Sequence, residues 1–265
     1  MDAAKAIALV LKHPEADPEY LYDNTKDPSA LPVVCVPTTC GTGSEVTGVS
    51  VLTRHDLKTK ISMKHKVFPK LALVDGRYLL SAPKKLIINT SIDALAHLIE
   101  SAINTKADYY SLVNAIGGIS LWKNTRPFID EMDEHAGELD EDAALMLMEV
   151  SAIAGIAIAQ TGTSIPHALS YPLTYEAKIP HGPAVGRFLA GFLEYADSIR
   201  KKEILDAAGF ESAKSLGEFI NRLAPADADT DLLKRAVNGL LSNEAKLKTC
   251  PYHIDEEKLS KIAGL

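Results

Sequence analysis

The sequence predicts an α/β segment followed by an all-α segment, with the division near Ser81 (residues 1–81 and 82–265). Two observations lead there. Short apolar runs flanked by turn residues are confined to the first part, whereas from Ala82 onward apolar residues recur at helical spacing over long stretches. A chain of 265 residues with 46% hydrophobic side chains can bury a sizeable core, and it contains no internal repeat and no low-complexity tract.

Taken in order, "DAAKAIALVL" from Asp2 combines strong helix formers with apolar residues at helical spacing. "LPVVCVP" from Leu31 reads as a buried strand, and the following "TTCGTGSE" as a loop of small hydroxyl and glycine residues. "VTGVSVLT" and "TKISM" around the turn-like "RHD" read as a hairpin, and "KLALVDG" from Lys70 as another short buried strand. Pro83 stands near the start of a helix running through "IINTSIDALAHLIESAI". Further helices are expected at Asp108–Trp122, Glu138–Ala159, Gly182–Ala196, Glu211–Leu223 and Thr230–Leu241, with "NTRPFIDEMDEHAG" as a connection.

Net charge is −7, and the 28 Lys and Arg residues are dispersed, so the basic footprint of a nucleic-acid or polybasic membrane binder is absent. No apolar stretch is expected to approach the length of a bilayer span, and without a basic segment ahead of an apolar run, secretion is not expected. Cys35, Cys40 and Cys250 are odd in number and lack C-x-x-C spacing, which argues against a disulfide framework and a thiolate metal site. These features fit a cytoplasmic protein acting on a small molecule.

In "SIDALAHLIE", Asp93 and His97 are four residues apart, which stacks both side chains on one helical face within reach of one ion. His167 and His181 lie fourteen positions apart in "GTSIPHALSYPLTYEAKIPHG", where Pro166, Pro172 and Pro180 are expected to break helices and leave a loop. One carboxylate and three imidazoles would suit Fe(II) or Zn(II) with a position open to substrate. By spacing alone, chance placement on an amphipathic helix and in a surface loop accounts for the same residues. His13, His55, His65, His135 and His253 sit in polar surroundings and read as solvated surface residues.

Three long, ordered motifs carry a resemblance: "VPTTCGTGSEVT" (Val36 to Thr47), "LVDGRYLLSAPKKLIINTSIDALAHLIES" (Leu73 to Ser101) and "GTSIPHALSYPLTYEAKIPHG" (Gly162 to Gly182). Together they resemble the iron-containing, or group III, alcohol dehydrogenase family. The resemblance implies part of a dinucleotide-binding α/β domain followed by a helical, dehydroquinate synthase-like metal-binding domain. It implies Asp93, His97, His167 and His181 as ligands of Fe(II), with Zn(II) as the alternative. Thr38, Thr39, Thr42 and Thr47 would line NAD or NADP, Lys60 would reach its ribose or phosphate, and Asp2 would sit near the nicotinamide.

The activity so implied is hydride transfer between nicotinamide and a primary alcohol or aldehyde, in a homo-oligomer, expected as a dimer. Tyr171 stands four residues after His167, where many members of the family place a second histidine; it is a candidate relay or a pocket-shaping residue. The family's Gly-Gly-Gly-Ser turn would precede the helix that begins at Asp2, so the resemblance also implies an N-terminally truncated chain. Alternative readings keep the fold: a glycerol dehydrogenase or dehydroquinate synthase-like enzyme, which typically uses three protein ligands, or a non-catalytic metal-binding remnant.

Overall fold

The computed structural model describes residues 1–131 and 139–265, with the side chain of residue 131 not described. Helix α1 (Asp2–Lys12) leads to strand β1 (Val34–Cys35), the hairpin of β2 (Val51–Arg54) and β3 (Thr59–Ser62), and strand β4 (Leu71–Ala72). β1 and β4 pair in parallel, Val34 opposite Leu71 and Cys35 opposite Ala72. The hairpin is antiparallel, and its turn places Lys58 in the left-handed region at φ 51°. The expected strands therefore exist as shorter pieces, and "VTGVS" is irregular up to Val51.

The remainder of the described chain is helical: α2 (Lys84–Ala102), α3 (Tyr109–Glu131), α4 (Glu141–Thr161), α5 (Ile165–Tyr175), α6 (His181–Gly186), α7 (Leu189–Glu194), α8 (Ser198–Ala208), α9 (Ala213–Leu223), α10 (Thr230–Leu241), α11 (Glu244–Leu247) and α12 (Glu256–Ala263). α2 is the hub. Every residue from Ser91 to Ala102 is buried, and α3, α4 and α6 pack around it. One apolar cluster joins these helices; a smaller one unites α1, Tyr20, Val33, Cys35, Met63 and Val67.

Several expectations need correction. α3 does not end at Trp122 but continues through Pro127, although that residue lacks the N–H for an intrahelical bond. Tertiary contacts offset this loss: Trp122 is fully buried with Nε1 donating to Ser91, and the Arg126 guanidinium donates to Gly209 O and lies 4.1 Å from the Phe210 ring centroid. The stretch 182–196 is two short helices broken at Arg187 and Phe188, not one.

α8, α11 and α12 were not expected, although Asp197, Asn243 and Asp255 accept hydrogen bonds from their first-turn N–H groups. The expected start of α4 at Glu138 lies outside the described residues, as does His135. α4 is itself long and apolar enough to cross a membrane by length and composition, contrary to the expectation; here it packs against α2 and α3, and half of its most apolar window is buried. His13 and His65 are also buried rather than solvated: His13 Nε2 pairs with Ser29 O at 2.9 Å and His65 Nε2 with Tyr20 O at 2.8 Å. The three cysteines are buried and unpaired, as their spacing suggested.

Candidate metal centre and adjoining cavity

α2 presents Asp93 and His97 on one face, as the i, i+4 spacing requires. His167 comes from a helix, contrary to the expected loop. Pro166 sits in the first turn of α5, where its missing N–H costs little, while Pro172 lies inside. No side chain of the local sequence caps α5 at Ser164; Glu100 of α2 does so instead, accepting from Ser164 N at 3.2 Å and His167 N at 3.0 Å. His181 opens α6, and the next residue explains how it comes so close to α2. A Cβ on Gly182 would lie 1.7 Å from Asn89 O, so only glycine permits this approach.

Three imidazoles converge on one oxygen: His167 Nε2, His181 Nε2 and His97 Nε2 lie 3.5, 3.8 and 3.9 Å from Asp93 Oδ1. None closes a hydrogen bond at that separation. Donors held about 2.1 Å from a tetrahedral ion stand roughly 3.4 Å from one another, so these spacings suit an ion between them. Ligand atoms of Asp93, His97 and His167 all lie within 4.8 Å of one another. Asp93 Oδ1 and His167 Nε2 are buried without a hydrogen-bond partner among the described residues, as unmet metal donors would be.

The outer contacts orient these donors. His97 Nδ1 faces Gly41 O at 3.2 Å and donates to it, which leaves the Nε2 lone pair free. His167 Nδ1 bonds Glu100 Oε2 and is fixed in the same tautomer. Burial opposes charge on Asp93, but the surrounding imidazoles outweigh it and hold the carboxyl below its usual range. Burial lowers His97 and brings His181 down to about 4; it also works against His167, where the Glu100 and Asp93 carboxylates prevail and raise the pKa to about 9.

Sequence reasoning missed Glu100. Its signal was the same helical face, seven residues after Asp93 and three after His97. Lys5 was missed as well. It is fully buried in α1, and its ammonium donates to the carbonyls of Ser44, Thr47 and Val49 at 2.7–2.8 Å, pinning the loop before β2.

A cavity of about 560 Å³ contains the four candidate ligands and is lined also by Asp2, Thr42, Thr47, Lys60 and Tyr171. Thr38 and Thr39 do not line it; they belong to an adjoining cleft of about 460 Å³ that shares Asp2 and Thr42 with it. The Asp2 carboxylate braces the wall by accepting from Ser44 Oγ at 2.6 Å and Val51 N at 2.8 Å. Burial and the Glu100 and Asp93 charges push the Tyr171 phenol up to about 12, and its ring stacks 6.3 Å from His181. Tyr171 lies within α5, not in the loop expected around Pro172. The loop glycines serve packing: a Cβ on Gly41 would meet Thr90 O at 2.7 Å, and one on Gly43 would meet Gly155 Cα at 2.4 Å.

Residues 1–76 match the family model of the iron-containing alcohol dehydrogenase, and residues 87–265 that of the C-terminal part of the Fe-containing alcohol dehydrogenase family. The chain belongs to the iron-containing alcohol dehydrogenase family. Long-chain-alcohol dehydrogenase 1 of Geobacillus thermodenitrificans is 30% identical over 80% of this chain and 54% of the relative. An iron-containing alcohol dehydrogenase of Thermotoga maritima superposes with a TM-score of 0.87 at 31% identity, covering 100% of this chain and 72% of that one. Sulfoacetaldehyde reductase of Bifidobacterium kashiwanohense, solved with NAD+, gives a TM-score of 0.82 at 28% identity over 99% and 72% of the two chains. The chain spans about half the length, or less, of the first curated relatives it matches.

Proposed function

We propose that this chain carries the divalent-metal centre of a NAD(P)-linked alcohol dehydrogenase or aldehyde reductase, with Asp93, His97, His167 and His181 holding Fe(II). The observation that carries the reading is the convergence of three Nε2 atoms on Asp93 Oδ1 at 3.5–3.9 Å. Bound together, a divalent cation and nicotinamide supply Lewis acidity and a hydride donor or acceptor. The protein's part is orientation. Gly41 O and Glu100 hold two imidazoles in the metal-binding tautomer, and one carboxylate among neutral imidazoles leaves the centre net positive toward an anionic oxygen.

Nicotinamide would enter by the cleft of Thr38 and Thr39 and reach the metal-bearing cavity past Asp2 and Thr42, with Thr47 and Lys60 on the cavity wall. The NAD+ bound by the sulfoacetaldehyde reductase supports this cofactor class. Tyr171, with its pKa near 12, serves as a hydrogen-bond donor and pocket wall rather than as a relay at neutral pH. Fe(II) rests on the family; Zn(II) generally binds such donors more tightly, so cellular supply decides occupancy.

The test is metal analysis of the full chain loaded anaerobically with Fe(II), beside Asp93→Ala and His181→Ala, with NADH and NADPH titrations and aldehyde-dependent NADH oxidation. One ion per chain, lost in both variants, is expected. Unchanged occupancy would overturn the metal centre, and absence of nicotinamide binding would overturn the dehydrogenase reading.

A further inference from the structure

The cavity lining also carries lysines that the candidate metal centre does not use. Besides the candidate metal ligands the cavity is lined by Lys106, between α2 and α3, and by Lys246 of α11. Lys246 Nζ donates to Thr163 O at 2.6 Å and to Thr163 Oγ1 at 3.0 Å, which leaves one of its three N–H groups uncommitted among the described residues. Lys106 is exposed at the rim, and its ammonium has no hydrogen-bond or ion-pair partner among the described residues. Both side chains line the same cavity, and the buried Glu100 carboxylate, outside that lining, attracts the Lys246 ammonium.

Among the described residues, the carboxylates that line the cavity are Asp2 and Asp93, and neither pairs with the lysines: Asp2 is engaged by Ser44 and Val51, and Asp93 faces the three imidazoles. Neither lysine lines the adjoining cleft bounded by Thr38 and Thr39. The uncommitted N–H of Lys246 and the ammonium of Lys106 offer the cavity positive charge and hydrogen-bond donors that an anion can use. The Thr163 hydroxyl, which accepts from Lys246 Nζ, keeps its own proton to donate on the same lining.

We propose that Lys246 and Lys106 form an anion subsite, so that the substrate is an alcohol or aldehyde with a carboxylate or sulfonate at its far end rather than a plain alkyl chain. This rests on the alcohol dehydrogenase reading only for the reacting end; the anion subsite is tested by binding alone. The metal centre takes the oxygen to be oxidised or formed, and the lysines fix the tail, which sets substrate length.

The experiment titrates ω-hydroxycarboxylates of two to five carbons, and the alkanols of matching length, into the Zn(II)-loaded full chain by calorimetry. The set is repeated with Lys246→Met and Lys106→Met, each checked for one zinc per chain. At one chain length the hydroxycarboxylate binds at least tenfold more tightly than its alkanol, and each variant lowers that ratio tenfold or more. Lys106→Met tests the subsite even if Lys246→Met perturbs folding, because Lys106 is exposed. The subsite is overturned if no hydroxycarboxylate binds more tightly than its alkanol, or if Lys106→Met and a folded Lys246→Met leave the ratio unchanged. Carboxylate-selective binding without turnover of any aldehyde would refute the dehydrogenase reading while leaving the subsite standing.

Discussion

Replacing Glu100 by glutamine tests whether the outer contacts govern the metal centre. Glu100 is fully buried and does two jobs at once: Oε1 accepts from Ser164 N and His167 N, while Oε2 bonds His167 Nδ1. Glutamine preserves shape, and its oxygen can keep both backbone bonds. Its NH2 group then faces His167 Nδ1 and favours the tautomer in which Nε2 carries the proton, the wrong one for metal binding. The substitution also removes a negative charge. A divalent ion feels that loss about twice as strongly as the single proton that competes for His167, so the balance moves against the metal. Loss of such an outer partner typically costs 10–100-fold in metal affinity, or about 1.4–2.7 kcal/mol. Zn(II) affinity at pH 7.5, measured by chelator competition, is expected to fall by that factor while the protein stays folded. A folded Glu100→Gln protein with affinity within threefold of the original would refute the reasoning.

Lys5→Met removes the donor shared by Ser44 O, Thr47 O and Val49 O, and burying these carbonyls without a partner is expected to cost about 3 kcal/mol in urea unfolding. Gly182→Ala drives a Cβ to 1.7 Å from Asn89 O, so α6 must shift; the measurable result is loss of His181 from the centre, read as at least a tenfold fall in metal affinity. The Glu45 carboxylate is buried with neither oxygen bonded to another of the described residues, and burial raises its pKa despite Lys5 nearby. A raised folded pKa means that stability is greatest below the unfolded value and falls as pH rises through the folded one. Glu45→Gln therefore should raise the melting temperature at pH 7.5, by roughly 1 kcal/mol in stability, with the advantage fading toward pH 4. A constant difference across that range would contradict the assignment.

The sequence by itself determined what short-range geometry controls. Asp93 and His97 share a helical face because the α-helix repeats every 3.6 residues, and the apolar periodicity that predicts α2 also predicts its burial. The resemblance singled out His167 and His181, and the fold brings both to Asp93. Local rules failed where distant groups supply what a segment lacks. Prolines 166 and 172 argue for a loop, yet α5 forms because its buried face packs inward and Glu100, 64 residues upstream of Ser164, caps its first turn. Glycines in the loop after β1 read as a loop signal alone, whereas two of them also admit the backbones of α2 and α4. Lys5, Lys106 and Lys246 look like ordinary solvated lysines in sequence; one becomes a buried cross-brace and two line the same cavity. Which polar groups face one another across 40 to 140 residues depends on how the helices pack around α2, and no local pattern encodes that.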